Sequence, residues 1–260
     1  MKNNYTKRIN TINNIFHGIQ KNFNFNTQVK DSWSKENINE WVSDLDIEIN
    51  QYIQNQIKKL FPNDEIYSEE SDNKLKLSSS WIIDPIDGTH NFLIGSSSFG
   101  VIIAYMRSNE ITCCGILLPK LDESWLSEKG KGVWLNNRRY KRINFKFKPF
   151  IFGHSALRYE NSKYLNLLKD IDEKGYSIRL NGSTSSDTAL LAKSKGVMIH
   201  TSTKLYDVAS SVCIFRELGA EVLDINMKKW TPKSTSILIF YNLQEKERKL
   251  IKGLIKKNLF

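Results

Sequence analysis

The amino-acid sequence predicts an α+β fold on three observations. Apolar residues recur at helical spacing near the start, β-branched and aromatic runs crowd the middle, and strand and helix patterns alternate beyond about Pro149. With 260 residues, 40% of them apolar, the chain is long enough to bury a substantial core. Neither an internal repeat nor a low-complexity linker interrupts it, so halves at residues 1–149 and 150–260 are expected to pack as one unit.

Ile9, Ile12, Phe16 and Ile19 share one helical face, and Ile49, Ile53, Ile57 and Leu60 share another. Two amphipathic helices are therefore expected, flanking a polar loop at residues 26–39. Trp81-Ile82-Ile83, residues 99–106 and residues 111–118 read as strands, the last two joined across Arg107-Ser108-Asn109-Glu110 as an antiparallel pair. Short strands continue through Trp125 and residues 132–135, with Asn136-Asn137 as a hairpin turn because asparagine tolerates positive φ. A strand at 150–152 follows, then helices near 161–172, 185–193 and 207–218, the last stopped by Gly219. Strands at 221–225 and 236–241 and a closing helix from Gln244 complete the chain.

Composition narrows the function classes. No apolar run approaches the roughly 20 residues needed to cross a bilayer, and the first ten residues are polar with no signal-peptide stretch behind them, which predicts a cytoplasmic protein without a membrane partner. Cys113, Cys114 and Cys213 are odd in number and lack any CxxC or Cys/His zinc spacing, so burial as small hydrophobes is expected. Lys and Arg outnumber Asp and Glu by 38 to 28, and the net charge of +10 favours anionic partners without naming one. The charge is densest at residues 129–148 and 246–257, where lysines alternate with apolar residues as on a solvated amphipathic face.

The segment that carries chemistry is Trp81-Ile82-Ile83-Asp84-Pro85-Ile86-Asp87-Gly88-Thr89-His90-Asn91-Phe92. An apolar strand delivers Asp84 at its end, and Pro85 and Gly88 then enforce a turn that brings Asp84, Asp87 and the Ile86 carbonyl toward one point. Clustered hard oxygens of this kind suit Mg²⁺. Thr89 adds a hydroxyl able to orient a water. Asp-Pro and Asp-Gly are also ordinary turn chemistry, and Asp84 could serve only as a cap. Five fixed residues of Asp-Pro-x-Asp-Gly-Thr, however, arise by chance in a chain this long only ~1 time in 10,000 at average residue usage.

These residues resemble the metal-binding Asp-Pro-(Ile/Leu)-Asp-Gly-Thr signature of the inositol monophosphatase superfamily, and the resemblance extends over most of the chain. Ser68-Glu69-Glu70-Ser71 stands where the family carries Gly-Glu-Glu-Ser, and Val42-Ser43-Asp44-Leu45-Asp46 is similar to its Val-Thr-x-x-Asp. Gly130-Lys131-Gly132 matches a family hairpin, and Tyr206-Asp207-Val208-Ala209 resembles its Trp-Asp-x-Ala. Outside that context Glu69 reads as a loop acid, Asp46 as a first-turn helix acid and Asp207 as an N-cap.

The resemblance implies a layered α/β/α/β/α sandwich with mixed and antiparallel sheets, sugar-phosphatase-like, with the metal site in the first half and substrate binding in the second. It implies two or three Mg²⁺ per site, one held by Glu69, Asp84 and the Ile86 carbonyl and another by Asp84, Asp87 and Asp207. Two divalent cations would relieve the mutual repulsion of these acids and supply charge at the phosphoryl oxygens. Thr89, Glu69 and Asp46 would then orient the water that attacks phosphorus. The amides of Gly88 and Thr89 would point at the phosphate if the turn opens a helix. Lys35 falls where the family has a mobile-loop lysine. Sensitivity to lithium and a homodimer are also family traits, although the sequence itself carries no oligomer signal.

Asn181-Gly182-Ser183-Thr184 fits the family's substrate-touching loop, with Thr184 where alanine is usual. His200 stands seven residues before Asp207, where inositol-specific members carry a glutamate, and an imidazole is not an acceptor-only group. Tyr206 replaces tryptophan. The expected activity is Mg²⁺-dependent hydrolysis of a small phosphorylated metabolite, an inositol phosphate or sugar phosphate, with a 3'(2'),5'-bisphosphate nucleotide as the alternative substrate. From another class comes a non-catalytic regulatory or RNA-associated protein on the same fold. Four facing acids argue against a polyanionic nucleic-acid partner.

Overall fold

The computed structural model describes residues 6–25, 44–71, 75–76, 79–143, 146–153 and 162–260. Its first layer is a pair of helices, α1 (Lys7–Asn22) and α2 (Asp44–Leu60). Ile9, Ile12 and Ile19 on one and Ile49, Ile53 and Ile57 on the other are wholly buried, as the 3.6-residue period requires. Each such side chain contributes on the order of 1.5–3 kcal/mol by leaving water. The approach of α1 to the sheet beneath is close. A Cβ on Gly115 would come within 2.5 Å of Phe16 and 2.7 Å of Ile12, so that position accommodates glycine alone.

The sheet beneath has seven strands in sequence order: β1 (Glu65–Ser68), β2 (Ser79–Asp87), β3 (Gly100–Arg107), β4 (Glu110–Leu118), β5 (Glu123–Glu128), β6 (Gly132–Leu135) and β7 (Arg138–Arg139). β1 runs parallel to β2, and every other pairing is antiparallel. The expected hairpins form on residues that accept the left-handed region, Ser108 and Asn109 at φ 50° and 62° and Asn136 and Asn137 at 47° and 60°. A short helix, α3 (Thr89–Leu93), leaves the end of β2.

The second sheet has the order β11-β12-β10-β8-β9 and mixes parallel with antiparallel pairs. Its strands are β8 (Phe150–Gly153), β9 (Ser177–Arg179), β10 (Gly196–His200), β11 (Glu221–Leu223) and β12 (Ile237–Tyr241). Between the sheets lie α5 (Thr184–Ala192) and α6 (Leu205–Glu217), which touch strands of both and are therefore buried on nearly every face. On the outer face α4 (Ser162–Glu173) and α7 (Glu245–Leu259) pack Leu167, Ile171, Ile251 and Ile255 against Val197, Ile199, Leu238 and Phe240. The layers are α/β/α/β/α, the predicted architecture. One apolar cluster joins Ile102 and Cys114 of the first sheet to Met198 and Ile239 of the second.

The sequence reading and the structure differ at several points. β2 does not end at Asp84 but runs on to Asp87 with a register shift. The strands β1, β9 and β10 were not expected: two are very short, and the third holds only three apolar residues, Val197, Met198 and Ile199, between a glycine and a histidine. α6 begins at Leu205, two residues before the predicted start, because Lys204 and not Asp207 is the N-cap. The expected loop at 26–39, and Lys35 within it, lie outside the described residues. All three cysteines are buried free thiols, as expected.

Candidate metal and phosphate site

The shift in β2 places the acids. Asp84 pairs with Ile102 and Asp87 with Gly100, so three steps on β2 oppose two on β3. Residues three apart on a regular strand face opposite ways, and the extra residue turns Asp84 and Asp87 to the same side. The parallel pairing of β1 with β2 sets Ser68 opposite Ile83, and the next residue, Glu69, donates its amide to Ile83 O at 3.2 Å. Glu69 thus stands near Asp84, close enough for its charge to raise the Asp84 carboxyl. From above comes Asp46 in the first turn of α2, and from below Asp207 in the first turn of α6.

Gly88 links strand to helix at φ 87° and ψ 40°, a conformation that favours glycine. A Cβ there would lie 2.9 Å from Ser183 Cβ and 3.1 Å from Ser98 O, so the absence of a side chain lets the signature touch the 181–184 loop. Asn91 fastens the same contact, its Nδ2 donating to Asn181 O at 2.6 Å and to Ser98 O at 2.7 Å. The Thr89 hydroxyl lies 2.9 Å from Ile86 O and 3.4 Å from Asp46 Oδ2. It has one proton for two acceptors.

Asp87 caps the start of α5. Its Oδ2 accepts from Ser183 Oγ at 2.6 Å, Ser185 N at 2.7 Å and Ser185 Oγ at 2.5 Å, and its Oδ1 from Thr184 N at 3.1 Å. Asp207 belongs to a capping box, its Oδ2 accepting the Lys204 amide at 2.7 Å. His200, expected to touch substrate, is 2% exposed, with its Nε2 3.2 Å from Asp187 Oδ2. Asn181 Nδ2 donates to the other oxygen of Asp187 at 2.6 Å. Tyr206 stands against Tyr67, ring centroids 5.9 Å apart.

The electrostatics follow from crowding acids together. Burial first, then Glu69, Asp87, Asp207 and Asp46, hold the Asp84 carboxyl well above the ordinary range. Burial, with Glu70 and Glu69, does the same to Asp46. Glu69 is exposed at the rim of the site, and partial loss of water there, then Asp207 and Glu70, push it up to about 8. Asp207 is pushed up to about 7 by burial and Asp87, against the lowering pull of the Lys204 amide.

Three observations test the fit to a divalent cation. The donors are all hard oxygens, the acids repel one another without a counter-charge, and the buried Asp84 Oδ1 has no hydrogen-bond partner. Among the described residues no three acidic, histidine or cysteine side chains stand close enough together to hold a metal ion as they are placed. Asp87 and Asp207 accept hydrogen bonds from the Ser185 and Lys204 amides. The residue types fit Mg²⁺.

Residues 4–257 match the inositol monophosphatase family. The chain belongs to that family. Among its relatives, the putative Nus factor SuhB of Neisseria meningitidis serogroup B is 29% identical, over 72% of this chain and 75% of that protein. A fructose-1,6-bisphosphatase/inositol-1-monophosphatase of Aquifex aeolicus is 28% identical, over 75% of this chain and 76% of that one. The SuhB crystal structure from Bartonella henselae superposes with a TM-score of 0.80 at 23% identity, covering 96% of this chain and 98% of that one. A structure of an IMPase/NADP phosphatase with Mg²⁺ and phosphate gives 0.80 at 20% identity, covering 95% and 96%. At these identities the structures establish the inositol monophosphatase fold.

Sequence reasoning missed Asp187, Ser185 and Asn91 in their site roles. Asn91 ends the signature and could have been suspected from it. Ser185 and Asp187 lie in the first turn of α5, where short polar side chains are ordinary capping chemistry, so nothing local marked their distant partners.

Proposed function

We propose that this inositol monophosphatase family member hydrolyses a small phosphate monoester, an inositol phosphate or a sugar phosphate, with Mg²⁺ as its metal. The observation that carries the reading is the buried, unpartnered Asp84 Oδ1, on a carboxyl raised by burial and by the charges of Glu69, Asp87 and Asp207, which a divalent cation would relieve. Glu69, Asp84 and the Ile86 carbonyl would hold one ion, and Asp84, Asp87 and Asp207 another. When bound, Mg²⁺ supplies charge to the phosphoryl oxygens and makes water acidic enough to react near neutral pH.

The remaining work falls to the protein. If Ile86 O is given over to a cation, the Thr89 hydroxyl turns its proton to Asp46 and presents its lone pairs to a water. Asp46 holds that orientation, and Glu69 takes the proton the water loses. The loop of Gly182, Ser183 and Thr184, fixed to Asp87 and Asn91, offers the surface beside the phosphate on which the leaving alcohol rests. In this reading the protein works in the cytoplasm; among the described residues no helix is long and apolar enough to cross a membrane.

A second reading, an RNA-associated role, is favoured by the +10 charge and by the relatives named Nus factor SuhB. One experiment separates the two. Purified protein is assayed against a panel of phosphate esters with Mg²⁺ or with chelator, beside salt-titrated RNA retention. Metal-dependent phosphate release supports the hydrolase; RNA retention without release from any ester sinks it.

A further inference from the structure

Far from the acids, the fold brings together the two basic stretches that the signature leaves unexplained. A cleft of about 300 Å³ is lined by Arg142 from the first stretch, Arg248 from the second, and Lys195 from the turn before β10. Asn242 and Gln244 contribute amides, and no acidic residue lines it. Gly219, just past the end of α6, forms one wall. Asp207 lies twelve residues earlier in the same helix, so about 18 Å of helix separates the cleft from the acid cluster.

The cations are held in place from behind. Lys195 is only 5% exposed, and its Nζ is 2.8 Å from Glu247 Oε1. Arg248 Nη1 is 3.5 Å from Glu221 Oε2, while its Nε is buried without a hydrogen-bond partner. Asn242 Nδ2 donates to Ile143 O at 3.0 Å and so pins the segment carrying Arg142 at the rim. Glu247 in turn accepts the Gln244 amide at 2.9 Å and lies in the first turn of α7, whose N-terminus favours negative charge. Lys195 and Arg248 are each held by one carboxylate, and the partnerless Arg248 Nε and the exposed Arg142 leave this polar cleft with more cationic donors than acceptors.

We propose that this cleft is a second binding site, for a small phosphorylated anion, with Arg142 and Arg248 as its direct contacts. The volume is that of a small-ligand pocket and too small for a macromolecule to enter. Phosphoryl oxygens are the acceptors that arginine forks and a lysine match best.

The acid cluster supplies the means of testing it. Without divalent cations the acids repel phosphate, so anion binding that persists in chelator belongs elsewhere. Inorganic phosphate and AMP are titrated into the protein in EDTA by calorimetry, for wild type, Arg142→Ala, Arg248→Gln and the surface control Lys120→Ala. Saturable binding of at least one probe is expected, weakened about tenfold by either cleft substitution and unchanged by the control. Tighter binding of AMP than of phosphate marks an ester as the ligand, and the reverse marks the free anion. Absence of saturable binding, or equal weakening in the control, overturns the site. Each variant's melting temperature is measured alongside, so that loss of binding with an unchanged melt counts as loss of contact. Hydrolysis by the acid cluster is not read in this experiment, so failure of either proposal leaves the other standing.

Discussion

His200 Nε2 lies 3.2 Å from Asp187 Oδ2, and both side chains are 2% exposed. The pair stands behind the loop that begins at Asn181, since Asn181 Nδ2 bonds the other oxygen of Asp187. His200→Ala is expected to leave Asp187 short of a partner and to cost about 2 kcal/mol, lowering the melting temperature by about 5 °C. His200→Gln, which keeps a donor, should recover part of the loss. Thermal denaturation of the three proteins checks this. A shift in KM toward inositol 1-phosphate with an unchanged melt would instead make His200 a substrate contact.

Two aspartates of one signature should respond oppositely to the same substitution. Asp84 is 1% exposed among repelling acids, so Asp84→Asn should raise the melting temperature in chelator while abolishing the rise on adding Mg²⁺. Asp87 caps α5 with both oxygens, so Asp87→Asn should lower stability in chelator by about 1 kcal/mol. Melting curves with and without Mg²⁺ decide both, and equal shifts would sink the distinction.

The pH dependence has a defined sign. Asp207 at about 7 and Glu69 at about 8 bind protons in the folded state that they release near pH 4 when unfolded. Between those limits the folded protein carries more protons, so metal-free stability falls as pH rises from about 4 to about 8. Mg²⁺ displaces the same protons. Its affinity should rise across pH 6–8.5, with proton release seen by calorimetry in buffers of different ionisation enthalpy.

Gly88→Ala meets both a positive φ and Ser183 Cβ at 2.9 Å. A loss of about 2 kcal/mol is expected, with a larger fall in kcat than stability alone explains, because the 181–184 loop is pushed from the signature. Chemical denaturation and steady-state kinetics measure the two effects.

Thr89→Ala removes the hydroxyl between Ile86 O and Asp46 and leaves the acids in place. We expect kcat to drop about 100-fold or more with KM little changed. An unchanged kcat would remove Thr89 from the chemistry.

Much of this arrangement was legible because it is local. The signature from Asp84 to Thr89 is contiguous, and its turn chemistry follows from Pro85 and Gly88. The hairpins at Ser108-Asn109 and Asn136-Asn137 were equally plain, since the residues tolerate the φ values they adopt. Asp87 as the cap of α5 was not, because its partners lie almost a hundred residues away. The burial of His200 had a signal that went unused. Val197-Met198-Ile199 is a continuous apolar run, the pattern of a strand covered on both faces, and the adjoining His200 shares that cover.

The acids have an order of assembly as well as a geometry. The meander from β2 to β7 can form while residue 207 is still being synthesised, and at that stage Asp84 faces water that screens it. If α6 docks between the sheets after the meander has formed, Asp207 closes on Asp84 and Glu69 late, and the repulsion rises late in folding. A cation that relieves it would then act after the folding barrier, on the unfolding limb. Bound metal should then hold the finished molecule shut, lengthening its lifetime more than it hastens its formation.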